Sequence, residues 1–292
     1  MTSSTTSRHR QCTTASFLSV PDSVLEHDML SFLSPADSSR AARAHRDCAA
    51  PARGRLARSE IRVPEDCSSL NAALAEVSFL ICQASPYAIP AIIVGPGKHI
   101  LKGGLMTICD SGVIIRGAGG AGCVPASASS QIVGRIRVEG GAKDVSLEAL
   151  SVSNPFGAGV WVTGKDTCVE LKHCKVSGCR GDGIYARQGS HCKLVSCDVE
   201  KNQSSGIAAW DAETAFNIFD TTVAKNQGDG VKVFPGALVD VTSSRVRRNS
   251  GHGLVTSDEC SSINIFSSSV VDNARGQMQG QVTVRRERSA TA

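Results

Sequence analysis

Both tryptophans of this 292-residue chain, Trp161 and Trp210, fall into one repeating pattern with Tyr185, Arg187, Lys232 and Phe234. Such side chains suit recognition. Aromatic rings offer large apolar surface and a polar edge, while Arg and Lys pair with anions. The pattern is set by glycine followed by an aliphatic residue: Gly159-Val160, Gly183-Ile184, Gly206-Ile207, Gly230-Val231 and Gly253-Leu254, at spacings of 24, 23, 24 and 23. In an extended strand after each glycine, the first and third residues point one way and the second and fourth the other. The second-position column reads Trp161, Tyr185, Ala208, Lys232, Val255; the fourth reads Thr163, Arg187, Trp210, Phe234, Ser257. Their mates, such as Val160/Val162 and Ile184/Ala186, are core residues. The aromatics and cations therefore share one outward face. That face either binds a ligand or is covered by a loop or by N-terminal helices.

Catalytic patterns are weaker. Asp211 and Asp258 follow this strand at its turn but lie two repeats apart, about 10 Å by stacking, a loose match to a carboxylate pair. The column Glu170, Lys193, Asn217, Asp240, Asn264 mixes charges as a solvated face does. His173, His191 and His252 occupy different columns, and the 12 cysteines contain no paired Cys-x-x-Cys motif for zinc. No catalytic residue, metal ligand or cofactor is assigned.

The elements that hold these residues follow from a second series, Cys179, Asn202, Asn226, Asn249 and Asn273, which keeps step with the glycines. Two locked periods over five repeats mark a solenoid. Apolar columns include Val176, Val199, Val223, Val246 and Val270, and Leu171, Leu194, Ile218, Val241 and Ile265. They alternate with polar columns, which is strand periodicity. Each repeat is thus predicted to be one coil of three short strands, with like residues stacked at about 4.8 Å. Asn suits tight corners, and stacked Asn amides form ladders. Cys174, Cys192 and Cys197 occupy core or corner columns and are predicted to be small buried thiols. An aromatic content of 4% suits the narrow, aliphatic interior of such a coil.

The pattern resembles the right-handed parallel β-helix of pectate-lyase-like proteins over residues 61–284. That resemblance implies a mainly β fold, on a scaffold that carries lyases, hydrolases, epimerases and non-catalytic binders. Related alginate epimerases carry Gly-aromatic-Asp-Pro-His on the corresponding strand; Trp161, Tyr185, Ala208, Lys232 and Val255 stand at that Asp position, and none is acidic. The helical stripe of Leu70, Ala73, Leu74, Val77, Leu80 and Ile81 after Ser68 or Ser69 resembles the helix that plugs the N-terminal end of these folds. The segment 117–130 reads as a loop outside the coil.

Upstream, residues 1–19 read as a tail, 20–48 as two helices and 49–60 as a basic linker; 285–292 form a second tail. Within 20–48, Pro21-Asp22, Leu30-Ser31-Phe32-Leu33, Pro35 and Asp37 resemble the F-box. One extra residue lies between Pro21 and Leu33, Ser38 stands where Leu is usual, and Cys48 where Trp is usual. The resemblance implies docking to a ubiquitin-ligase adaptor subunit through Pro21, Leu25, Met29, Phe32 and Leu33. The combined reading is a non-catalytic substrate receptor whose β-helix holds a client protein. The alternative is a carbohydrate-binding or polysaccharide-active β-helix.

No apolar run of the about 7–15 residues that a signal peptide needs lies near Met1. The chain therefore reads as intracellular, cytoplasmic or nuclear, unless residues 1–20 serve as an organellar transit peptide. A net charge of +4 allows an acidic partner without demanding one. The basic linker has no interleaved aromatics, which disfavours nucleic acid, and no stretch suits a membrane.

Overall fold

A computed structural model of the chain describes residues 60–82, 91–119 and 129–285. The F-box-like segment, with Pro21, Leu25, Met29, Phe32 and Leu33, lies outside these residues, as do both predicted tails apart from Arg285.

The described chain winds as a parallel β-solenoid. A ten-stranded parallel sheet forms the first face. A fourteen-stranded sheet supplies the other two, because its strand Ser130–Val138 runs across a corner. Residues 130–133 of that strand pair with Leu150–Ser153 on the second face, while residues 136–138 pair with Val160–Val162 on the third. The bend falls at Gly134, whose φ of 135° lies outside the range that side-chain-bearing residues readily adopt.

Register follows the sequence columns without slippage from Val169 to Ile265. Leu171, Leu194, Ile218, Val241 and Ile265 pair in turn on the first face. Val176, Val199, Val223, Val246 and Val270 do so on the second. Val160, Ile184, Ile207, Val231 and Leu254 do so on the third. Together they form one continuous aliphatic core. A one-residue slip would turn every such column outward, which is why the alternation fixes register so firmly.

Two devices turn the corners. The first is a left-handed residue at a fixed place: His173, Ser196, Asp220, Ser243 and Ser267 enter the second face with φ between 44° and 52°. The second is the asparagine ladder between the second and third faces. Asn202 Nδ2 donates to Asn226 Oδ1 at 3.0 Å, Asn226 to Asn249 at 2.9 Å, and Asn249 to Asn273 at 3.0 Å. Each asparagine also donates to the carbonyl of a second-face valine, so every coil is tied to the one before it.

This ladder explains the glycine period. A Cβ on Gly206 would stand 2.5 Å from Val223 Cγ1, 2.7 Å from Asn226 Nδ2 and 2.8 Å from the Gly230 carbonyl. The glycines are needed for close approach of backbone to the next coil. Cys174, Cys192 and Cys197 are buried, as the columns predict.

Helix α1 (Leu70–Cys82) buries Leu70, Ala73, Leu74 and Val77 on the first coils, and Ser69 Oγ caps it by accepting the Ala72 N–H at 3.2 Å. Among the described residues, no helix is long and apolar enough to cross a membrane. The segment read as a loop starts inside structure: Gly117 closes the strand Ile114–Gly117 and Ser130 opens the next.

Candidate functional site

The third face carries the predicted columns. Trp161 and Tyr185 are register partners on adjacent coils, with ring centroids 4.3 Å apart and planes at 35°. The column then drops to Ala208, paired with Tyr185 on one side and Lys232 on the other. At that coil the aromatic series shifts two residues along. Trp210 and Phe234 stack at 3.3 Å and 20°, and Tyr185 bridges to Trp210 at 6.3 Å. Backbone bonds fix these two just beyond the strand ends: the Trp210 N–H donates to the Ala186 carbonyl at 2.9 Å, and that of Phe234 to Ala209 at 2.8 Å. Four half-buried rings from four consecutive coils therefore form one ladder.

Cations stand at both ends. The Arg135 guanidinium lies 5.0 Å from the Trp161 ring centre, and Lys232 Nζ lies 4.9 Å from that of Phe234. Arg135 is seated by Gly157, where a Cβ would come within 2.5 Å of its Nη2. In the middle, Arg187 Nε stands 3.4 Å from Asp211 Oδ2. The Nε groups of Arg135, Arg137 and Arg187 are buried and make no hydrogen bond; Arg187 keeps its ion pair with Asp211, and Arg137 Nη2 pairs with Glu139 at 2.6 Å. Buried donors of this kind favour an acidic acceptor. Burial, with Asp211 and Asp182 nearby and Arg187 opposing, raises the Tyr185 phenol above its ordinary value. It stays protonated at neutral pH and can donate as well as accept.

The structure brings Trp161, Tyr185, Arg187, Trp210, Lys232 and Phe234 together on one face. It corrects the simple alternation in three places. Ala208 is only 2% exposed, and Val255 and Thr163 are also buried. Sequence reasoning missed Arg135. Its signal was Gly134, one coil before Gly159, but the bend in that strand hides the register.

A further column was also missed: Asp182, Ser205, Asp229 and His252, each directly before a repeat glycine. Asp182 Oδ1 accepts the Ser205 N–H at 2.9 Å; Asp229 Oδ1 accepts the His252 N–H at 2.7 Å and lies 3.5 Å from the His252 ring. Asp258 accepts from the Ser261 amide and hydroxyl. Asp211 faces Arg187. Each carboxylate thus serves a local partner. Among the described residues, no three His, Cys, Asp or Glu side chains stand close enough together to hold a metal ion. What the face offers is apolar ring surface, the Tyr185 hydroxyl, two indoles and cations.

The family model for the right-handed β-helix region matches residues 111–282. A sequence comparison with curated proteins gives no match. Among solved structures, the pectate lyase Pel9A superposes with a TM-score of 0.50 at 15% identity, covering 70% of this chain and 62% of that one. The A-module of the mannuronan C-5 epimerase AlgE6 from Azotobacter vinelandii gives 0.36 at 10% identity, covering 74% of this chain and 94% of that one. The catalytic domain of a GH87 α-1,3-glucanase in complex with tetrasaccharides gives 0.33 at 10%, covering 78% and 58%. At these identities the likeness is one of fold, and the chain spans less than two thirds of the length of that pectate lyase.

Proposed function

The chain belongs to the right-handed β-helix family, and from that premise we propose that it binds an acidic polysaccharide along its third face. The observation that supports this most is the half-buried ladder Trp161–Tyr185–Trp210–Phe234, flanked by Arg135, Arg187 and Lys232. A sugar chain laid parallel to the solenoid axis meets four coils, about 14 Å of surface. Sugar C–H groups pack on the ring surface that the tilts at Tyr185 leave open. The Tyr185 hydroxyl and the indole N–H groups take ring hydroxyls, and the Arg135 guanidinium, whose Nε makes no hydrogen bond, takes a carboxylate. The likeness to a pectate lyase makes pectate-type chains the first to test. The reading assigns binding and no catalytic step.

Buried aromatic anchors commonly carry about 2 kcal/mol or more of binding. Trp210→Ala should therefore weaken polygalacturonate about thirtyfold while the protein remains folded. Unchanged affinity in that variant would overturn the assignment.

A second reading rests on residues 20–48. Their F-box-like residues Pro21, Leu25, Met29, Phe32 and Leu33 dock a ubiquitin-ligase adaptor in an intracellular setting, and the same β-helix face holds an acidic client protein. Capture of the adaptor by the full chain, lost with Phe32→Ala, is its signature. Capture that survives the change excludes Phe32 as an anchor.

A further inference from the structure

A separate strip of charge runs along the corner where the second face ends. Lys201, Lys225 and Arg248 occupy the same place on three successive coils, as the register Glu200–Ala224–Arg247 requires. All three are exposed, and their φ values are 56°, 57° and 56°. Left-handed backbone is uncomfortable for long side chains, and Gly, Asn or Asp would be the ordinary choices. The same column holds Gly178 one coil earlier and Asp272 one coil later, so the turn itself does not call for cations. Non-glycine residues take left-handed backbone at many turns of this coil, so what sets this corner apart is three cations in succession.

Arg245 and Arg247 extend the strip across the second face. Both are exposed, and their register neighbours are neutral: Thr222 and Ser269 beside Arg245, Ala224 and Val271 beside Arg247. Two carboxylates lie at its first coil: Glu200 pairs with Lys175 at 2.7 Å and stands 3.9 Å from Lys201, and exposed Asp198 sits in the Arg245 column two coils earlier. Among the described residues, no ion pair engages Lys225, Arg245, Arg247 or Arg248. Asp272 flanks Arg248 on the next coil without reaching it. Like charges stacked at about 4.8 Å repel, and an extended polyanion along the axis relieves them.

We propose that this corner is a second track for an acidic polysaccharide, so that one molecule holds two chains on separate faces. The inference rests on the glycan reading of the third face for the class of ligand. Among the described residues nothing aromatic lines the strip, so they supply no stacking platform for nucleic-acid bases. Gln203 and Gln227, exposed two residues beyond Lys201 and Lys225, can serve sugar hydroxyls.

The test is titration of the full chain with oligogalacturonate, and light scattering with long polygalacturonate. Methyl-esterified polymer and duplex DNA serve as controls. The wild type should bind two oligomers and cross-link the long polymer. The triple variant Arg245→Ala/Arg247→Ala/Arg248→Ala should bind one oligomer with its tryptophan fluorescence response intact, lose cross-linking, and show a shallower salt dependence. Losing three exposed ion pairs should weaken the strip about tenfold or more. Trp210→Ala should instead weaken the other track and spare the strip. A triple variant with unchanged stoichiometry and salt dependence overturns the strip. No effect of Trp210→Ala, with binding lost in the triple variant, overturns the third-face reading and the two-chain arrangement and leaves the strip as a single track. A strip that prefers duplex DNA to polygalacturonate overturns the polysaccharide assignment.

Discussion

Replacing Asn226 with Ala removes four buried hydrogen bonds at once. The Asn226 amide oxygen accepts from the Asn202 backbone N–H at 3.1 Å and from Asn202 Nδ2 at 3.0 Å. Its Nδ2 donates to the Val199 carbonyl at 3.2 Å and to Asn249 Oδ1 at 2.9 Å. Two of the affected groups keep another partner. Asn202 Nδ2 still reaches the Val176 carbonyl, and Asn249 Oδ1 still accepts the backbone N–H of residue 226. The Asn202 N–H loses its acceptor in a fully buried corner, at a cost of about 1–3 kcal/mol. With about 0.5–1.5 kcal/mol for each bond lost elsewhere, the total is roughly 4 kcal/mol. A domain of this size melts about 2–4 °C lower per kcal/mol, so the midpoint should fall roughly 10 °C. Thermal melting followed by circular dichroism measures it, and amide exchange at Asn202 should quicken in parallel. Asn273→Ala, at the end of the ladder where Gln277 replaces a further asparagine, should cost less. A midpoint within about 2 °C of wild type for Asn226→Ala would refute the view that the ladder holds the coils together.

Gly206→Ala should destabilise more than any exposed substitution on the same coil, because its Cβ collides with backbone and core of the next coil; differential scanning calorimetry reads this directly. The Lys175 ammonium, opposed by burial, holds the Glu200 carboxyl below its ordinary 4.5. That contribution to stability is present above 4.5 and fades as pH falls through the folded-state value, so the gap in melting point between wild type and Lys175→Met should close in acid. Burial pushes the Cys179 thiol up to about 11 and raises Cys192 further, so both should resist alkylation at pH 8 in the folded protein while exposed Cys260 reacts; mass spectrometry before and after denaturation checks it.

The coil was legible in the sequence because its constraints are one-dimensional. Val176 to Val270 and Asn202 to Asn273 must each stack on themselves, so a period in sequence becomes a column in space. Trp161, Tyr185, Trp210 and Phe234 could be placed on one face by the same rule. How they touch could not, because a ring leans sideways across columns. Ala208 is covered despite pointing outward, and the series crosses from one column to the next between Tyr185 and Trp210. Arg135 escaped because its strand bends at Gly134 and brings it over Trp161 from a different corner. Asp182 and Asp229 look like free acids in sequence, yet each closes on a backbone N–H of the next coil. The cationic corner was in the period all along, since Lys201, Lys225 and Arg248 directly precede Asn202, Asn226 and Asn249; only their left-handed turn needed the backbone.

The two tryptophans give the central claim its most direct test, since both belong to the ladder and no others exist in the chain. Intrinsic fluorescence and its quenching by acrylamide should be followed while the full chain is titrated with oligogalacturonate. A chain laid along Trp161, Tyr185, Trp210 and Phe234 shifts the emission and shields both indoles from the quencher, with a midpoint equal to that from calorimetry. Saturation by calorimetry with emission and quenching unchanged would place the ligand elsewhere and contradict the account.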